Sequence, residues 1–394
     1  MVAREIAKGI FWVGALDFDR RLFDELIPLP EGTSYNSYLV RGSEKTALID
    51  TVDPKKEEEL IVNLIKLGIE QIDYIVINHA EQDHAGSLPM VLEMYPRAKV
   101  VTNEKCRDLL VALLQIAPES VMVVKDGDTL SLGDRTLRFF LTPWTHWPET
   151  QITFLVEDKI LFPCDLFGFH QATSELYITN EADAYRSAKR YYAEIMMPFR
   201  NSIRGYIQKV RDLDPAMIAP SHGPVNKNPK FILDAYAEWV SDDVKNVVVL
   251  PYISMHGSTQ KMVDHLTGAL IQRGVDVKPF NLTHTDIGEL AYSLVDAATV
   301  VVATPTVLFG PHPQIVYATY LANVLKPKVR FASVIGSFGW GGKAAETIVK
   351  MLDHVKVEVL EPVVIKGLPD EAALVALNRL ADDIAKKHKE IGIL

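Results

Sequence analysis

The order of apolar and polar positions gives the chain two rhythms. Up to about residue 245, short apolar or β-branched runs stand between long, irregular connections. They are Thr46–Thr51 (TALIDT), Asp73–Asn78 (DYIVIN), Lys99–Thr102 (KVVT), Leu137–Thr142 (LRFFLT), Ile160–Cys164 (ILFPC) and Met217–Pro220 (MIAP). Each is bounded by turn formers or charges and reads as a strand. Apolar positions at a 3.6-residue period predict helices over Lys55–Leu67, Ser87–Met94 and Ala184–Met196. The polar stretch Trp239–Asn246 (WVSDDVKN) reads as a linker. After it, predicted strands at Val247–Pro251, Val275–Phe280, Thr299–Ala303, Val329–Ile335 and Val357–Val364 alternate with helices. The helices fall at Thr259–Arg273, Asp286–Leu294, Pro313–Leu325, Gly342–His354 and about Pro369 to Lys389. That alternation specifies a doubly wound α/β parallel sheet. Two domains follow, residues 1–245 and residues 246–394.

Composition removes several function classes. No apolar run approaches the roughly 18 residues that span a bilayer. Arg4, Glu5 and Lys8 interrupt what would be the apolar part of a signal peptide, so the expectation is a cytoplasmic protein with no membrane partner. Lys and Arg total 41 against 51 Asp and Glu, a net charge of −10, which argues against a nucleic-acid partner. The two cysteines, Cys106 and Cys164, fit no paired spacing, so a disulfide scaffold, a zinc ribbon and an iron–sulfur site on this chain are excluded. With eleven histidines, any metal is expected on imidazole and carboxylate.

The densest chemistry is His79-Ala-Glu81-Gln-Asp83-His84, in what reads as a loop past the strand ending at Asn78. Four ligand-type side chains this close are costly to desolvate unless something pairs them, and a metal does so. His146, Asp165 and His222 each follow an apolar strand, where a rigid scaffold gathers functional groups. His265, His284, His354 and His388 read as solvated, and Cys164 as a buried packing group.

In the second half, Ser254-Met255-His256-Gly257-Ser258-Thr259 lies between a strand and a helix. Hydroxyls, a glycine and a helix N-terminus make an anion cradle. The loop lacks the lysine of a triphosphate loop and the glycine pattern of a dinucleotide site, which leaves a monophosphate. Pro305 and Thr306 follow the third of these strands, Thr299–Ala303, and Ser337, Phe338, Gly339, Trp340 and Gly341 follow the fourth, Val329–Ile335. Ligands of doubly wound sheets bind outside these strand ends.

The seven-residue set resembles the metallo-β-lactamase fold, an αββα sandwich, with Glu81 where the zinc hydrolases carry a histidine. Three carboxylates (Glu81, Asp83, Asp165) favour a harder metal, ferric iron, and so a redox-active pair. The Ser254–Thr259 loop resembles the phosphate loop of flavodoxins. Together the two halves resemble the flavodiiron proteins (A-type flavoproteins). Supporting pieces are Gly32–Leu39 (GTSYNSYL), His146-Trp147-Pro148, Phe167–His170 (FGFH) and Ser337–Trp340 (SFGW).

The resemblance implies two non-heme irons and FMN. His79, Glu81 and His146 would hold one iron and Asp83, His84 and His222 the other. Asp165 would bridge them, with His170 beside the bridge. It implies reduction of dioxygen to water, or of nitric oxide to nitrous oxide, by electrons passed through FMN. It also implies a head-to-tail homodimer, possible as a dimer of dimers, with Trp147 and Glu81 facing the partner's flavin. No four-cysteine segment is present, so the donor is expected to be separate: a rubredoxin-like protein or a reduced deazaflavin. Three departures stand out. Leu22–Leu26 lacks a histidine and carries Asp24 and Glu25; Val307-Leu308-Phe309 replaces polar residues; Phe169 replaces a glutamine. The alternative reading is a dinuclear metal hydrolase with a flavodoxin-like appendage.

Overall fold

Alternation of side chains along the first-half strands sorts them onto two faces. Val40, Ala47, Ile49, Val76 and Val101 pack in one core with Leu137, Phe139, Leu155, Ile160 and Phe162. Their neighbours Leu39, Leu48, Ile75, Ile77 and Val100 pack in another with Leu60, Leu64, Leu88, Val91, Cys106 and Leu110 of the helices. The computed structural model, which describes residues 2–352 and 356–394, therefore has two sheets sharing a core, with helices outside. One sheet has seven strands in the order Arg4–Ala7, Ile10–Trp12, Tyr38–Arg41, Thr46–Ile49, Tyr74–Val76, Lys99–Thr102, Val121–Val123. The other has five: Thr129–Ser131, Thr136–Leu141, Gln151–Leu155, Ile160–Phe162, Met217–Ile218.

The chain forms two units. One comprises the residues up to Tyr191 with Phe199–Val240, the other Tyr192–Pro198 with Ser241–Leu394. The second holds a parallel sheet in the order Asp276–Asn281, Lys245–Tyr252, Ala297–Val307, Phe331–Phe338, then Glu358–Val359 and Val363–Lys366. One face packs on helices Ser258–Gln272 and Glu371–Glu390. The other packs on Ile287–Leu294, Pro313–Leu325 and Ala344–Met351. The strand order reverses between Lys245–Tyr252 and Ala297–Val307, the position where such sheets bind ligands.

Several expectations change. The region read as Ala184–Met196 is a helix only over Glu181–Tyr191, and a π-helical turn follows at Tyr192–Met196. Helices Glu104–Leu114, Arg200–Leu213 and Pro229–Val240 were not predicted. The last ends inside the expected linker, and the next strand starts at Lys245. Pro305, Thr306, Ser337 and Phe338 lie within strands rather than in loops, because Pro305 pairs with Ser337, Thr306 with Pro311 and Phe338 with Lys366. The strand read as Val357–Val364 is two. Pairing with Phe331–Phe338 runs from Ala332↔Val359 to Ile335↔Val363, so one extra residue bulges out beside Pro362, which has no N–H to give. The helix read to His354 is described over Ala344–Met351, and His354 lies outside the described residues.

His388, expected in solvent, is fully buried. Its Nδ1 lies 2.8 Å from Asn246 Oδ1 and its Nε2 2.7 Å from Thr299 Oγ1, which suits a neutral ring donating to the amide oxygen and accepting from the hydroxyl. Burial pushes its pKa down to about 4. The unfolded chain protonates this residue from about pH 6.5 downward while the fold resists. Its contribution is complete above pH 6.5 and is lost as pH falls toward 4, roughly 3 kcal/mol over that window. Urea unfolding at pH 7 and pH 5 should show the loss, and His388→Gln should reduce the difference. An unchanged difference would remove this residue from the acid response.

Candidate active site

The loops after the strand ends in the first unit bring together His79, Glu81, Asp83, His84, His146, Asp165 and His222. Asp83 and His84 sit in a one-turn helix, Gln82–Ala85, rather than in an open loop. Asn78, just before His79, is fixed by the buried Asp50, which accepts its backbone N–H at 2.7 Å and its amide N–H at 2.9 Å. His146 lies in the connection between strands Thr136–Leu141 and Gln151–Leu155, and Asp165 and His222 follow Ile160–Phe162 and Met217–Ile218.

The donors divide into two trios around Asp165. His79 Nε2 and His146 Nε2 lie 3.7 and 3.4 Å from Asp165 Oδ2, and 3.1 and 3.2 Å from Glu81 Oε2. His84 Nε2 and His222 Nε2 lie 3.0 and 3.3 Å from Asp165 Oδ1, and Asp83 carboxylate oxygens are 3.3 and 3.1 Å from the same nitrogens. Each oxygen of Asp165 thus faces its own trio. Both Asp83 oxygens, His84 Nε2 and His222 Nε2 are buried without a hydrogen-bond partner. Buried polar atoms left this way cost free energy, and a pair of cations would satisfy them. Burial alone would lower the histidine pKa values, yet the carboxylates hold His146 at about 9 and His222 at about 10. The pocket favours positive charge.

The GTSYNSYL segment holds this pocket from behind. Asn36 Nδ2 donates to Pro220 O and Gly223 O at 2.8 and 2.7 Å, His222 Nδ1 lies 2.7 Å from Ser34 O, and Gly223 N donates to Ser34 Oγ. Gly223 has φ +77°, and a Cβ there would sit 2.7 Å from Phe169 O, so the loop requires glycine. Thr33 Oγ1 lies 2.8 Å from His170 Nδ1, and the His170 ring is 4.7 Å from that of His222. Burial and His222 keep His170 well below the usual histidine range, so it is neutral. Cys164 is buried, with its thiol pushed up by burial.

Two supporting residues escaped the sequence reading. Glu149 Oε1 lies 2.7 Å from His79 Nδ1, and Tyr191 OH donates to Asp165 Oδ1 at 2.9 Å. The signal for Glu149 was its place on the same loop as His146, three residues on. Tyr191 stands at the last turn before the π-helical segment, a deviation common near functional sites. Asp24 and Glu25, both left-handed, form the tip of a hairpin whose Phe23 ring lies 4.9 Å from His170.

In the second unit, helix Ser258–Gln272 starts after the left-handed Gly257, which has no side chain with which to cap it. Gln260 N donates to Ser254 Oγ at 3.1 Å, and Thr259 Oγ1 is 3.4 Å from Ser337 Oγ. Ser254–Thr259, Pro305–Thr306 and Ser337–Gly341 all lie at the carboxyl end of the sheet. Trp340 is 64% exposed and meets Phe309 edge to face at 4.7 Å, so it does not simply pack beneath its loop.

A model of the ODP family of beta-lactamases matches residues 33–223. The chain is 36% identical to a nitric oxide reductase of Moorella thermoacetica, over 90% of each chain. It is 33% identical to a coenzyme F420H2 oxidase of Methanothermobacter marburgensis, over 91% of each. The solved rubredoxin oxygen:oxidoreductase of Desulfovibrio gigas superposes with a TM-score of 0.95 at 31% identity, covering 98% of this chain and 99% of that one. The flavodiiron protein of Giardia intestinalis gives 0.92 at 29%, covering 98% and 96%. The chain belongs to the flavodiiron family. This flavodiiron protein is an oxidoreductase with a β-lactamase-like fold followed by a flavodoxin-like sheet. Among its described residues no helix is long and apolar enough to cross a membrane.

Proposed function

We propose that the chain reduces dioxygen to water, nitric oxide to nitrous oxide, or both, at an iron pair supplied with electrons through FMN. The observation that carries the reading is Asp165, whose two oxygens face two separate trios of buried donors. In this reading residues 1–245 hold the irons, one on His79, Glu81 and His146 and the other on Asp83, His84 and His222. Residues 246–394 hold FMN. The names of the relatives support both gases and two kinds of external donor, a rubredoxin and a reduced deazaflavin. When bound, the iron pair and the flavin supply the electron storage that reduction of either gas needs.

The chain's own groups bind and orient. Ser254, Ser258, Thr259 and the N–H groups just after Gly257 would hold the flavin phosphate. Met255, His256, Pro305, Thr306 and Ser337–Gly341 would border the rest of it. His170, neutral and fixed by Thr33, lies beside His222 without adding charge. Trp147 lies edge-on to His79 at 5.0 Å and, with Glu81, would face the flavin of a second chain in a head-to-tail pair. Anaerobic mixing of the reduced, iron- and FMN-loaded protein with each gas tests the proposal. Reoxidation faster than that of free flavin is expected with at least one gas. Reoxidation no faster with either, or a chain that binds zinc and hydrolyses thioesters, would overturn it.

A further inference from the structure

The two trios are formally alike. Each offers two imidazoles and one carboxylate, and each faces one oxygen of Asp165. Donor type alone therefore does not set the metal positions apart, and the groups behind the donors can. Those groups differ. His222 Nδ1 meets a neutral backbone carbonyl, Ser34 O, at 2.7 Å. His79 Nδ1 meets a carboxylate, Glu149 Oε1, at 2.7 Å, and both side chains are fully buried. With His79 Nε2 turned to the donor cluster, Nδ1 carries the proton and donates. Ala80 N donates to the same oxygen at 3.1 Å, so that oxygen is an acceptor twice over. The loop is held in place: Asn103 Nδ2 donates to Glu149 O at 2.7 Å, and the Trp147 ring stands against His79. A carboxylate behind a ligating imidazole strengthens it as an electron donor, more than a carbonyl does. Tyr191 works in the same direction from the other side. Its O–H donates to Asp165 Oδ1, the oxygen that faces the Asp83 trio, and draws electron density from it.

We infer that Glu149 is a positioning residue that makes the two metal positions unequal, so that the position at His79, Glu81 and His146 retains the ferric ion when the iron pair is half reduced. The inference rests on the metal reading above. It assigns to the loop between Leu141 and Gln151 two tasks: presenting His146 as a donor and enriching His79, a donor from the opposite loop.

The test is a reductive titration of the iron- and FMN-loaded protein, followed by the EPR signal of the half-reduced pair, with iron content measured on every sample. The wild-type pair is expected to pass through a half-reduced state above the share of two equal, independent ions. Glu149→Gln keeps an acceptor oxygen and removes the charge. Its constant for forming the half-reduced pair from the fully oxidised and fully reduced forms is expected to fall roughly tenfold. Should that variant fail to load iron, Glu149→Asp replaces it, since the shorter carboxylate draws back from Nδ1, and the same fall is expected there. A loaded variant with an unchanged constant overturns the inference, even if its melting temperature falls. So does a wild-type pair with no more than the independent share. A wild-type chain that takes up no iron pair is a different outcome, and it removes the metal reading itself.

Discussion

Asp165→Ala is expected to abolish binding of the metal pair and to leave the flavin in place. Its two oxygens are the only donors that face both trios among the described residues, so both positions lose a donor at once. The deletion also leaves Tyr191 OH without its acceptor in a buried pocket. Loss of a mere supporting group behind a ligand typically weakens metal binding by about 10–100-fold, and loss of a shared donor should exceed that. Metal analysis after gel filtration, with flavin absorbance on the same sample, measures both quantities. The flavin is expected unchanged because its proposed residues belong to the second unit, which has its own cores. Full iron occupancy in this variant would show the donor assignment to be wrong.

The second large effect is on the other cofactor. The double variant Ser254→Ala, Thr259→Ala removes two hydroxyls from the proposed phosphate cradle. Hydrogen bonds to a charged group contribute about 1.5–3 kcal/mol each. Losing two is expected to weaken FMN binding by roughly 100-fold or more. Part of the loss has another route, because Ser254 Oγ also accepts from Gln260 N and so caps the helix start. Fluorescence titration of the flavin-free protein with FMN reads the affinity, and circular dichroism checks the helix. Unchanged affinity would remove this loop from the phosphate site.

The candidate metal donors are legible in the sequence because four of them crowd into His79–His84 and the rest follow apolar strands. Their supporters are not. Glu149 lies in a loop where an acid needs no explanation, and only the fold turns it toward His79. Tyr191 reads as one more apolar position of a helix until its hydroxyl is seen on Asp165. The doubly wound sheet is legible from alternation alone. Its strand ends are not, since extension to Pro305 and Phe338 depends on pairing with neighbours distant in sequence. His388 fails for a related reason: a polar residue late in a charged helix gives no sign that Thr299 and Asn246 await it in the interior.

The separate cores have a consequence for how the protein melts. Leu48 and Phe139 belong to packing that shares no residue with the clusters of Leu266 and Val334. Independent cores break the all-or-none behaviour of a single small domain. Calorimetry would then give a total enthalpy larger than the van't Hoff value from the width of the transition. The acid weakening at His388 would shift one component of that envelope and leave the other, and metal loading would do the reverse.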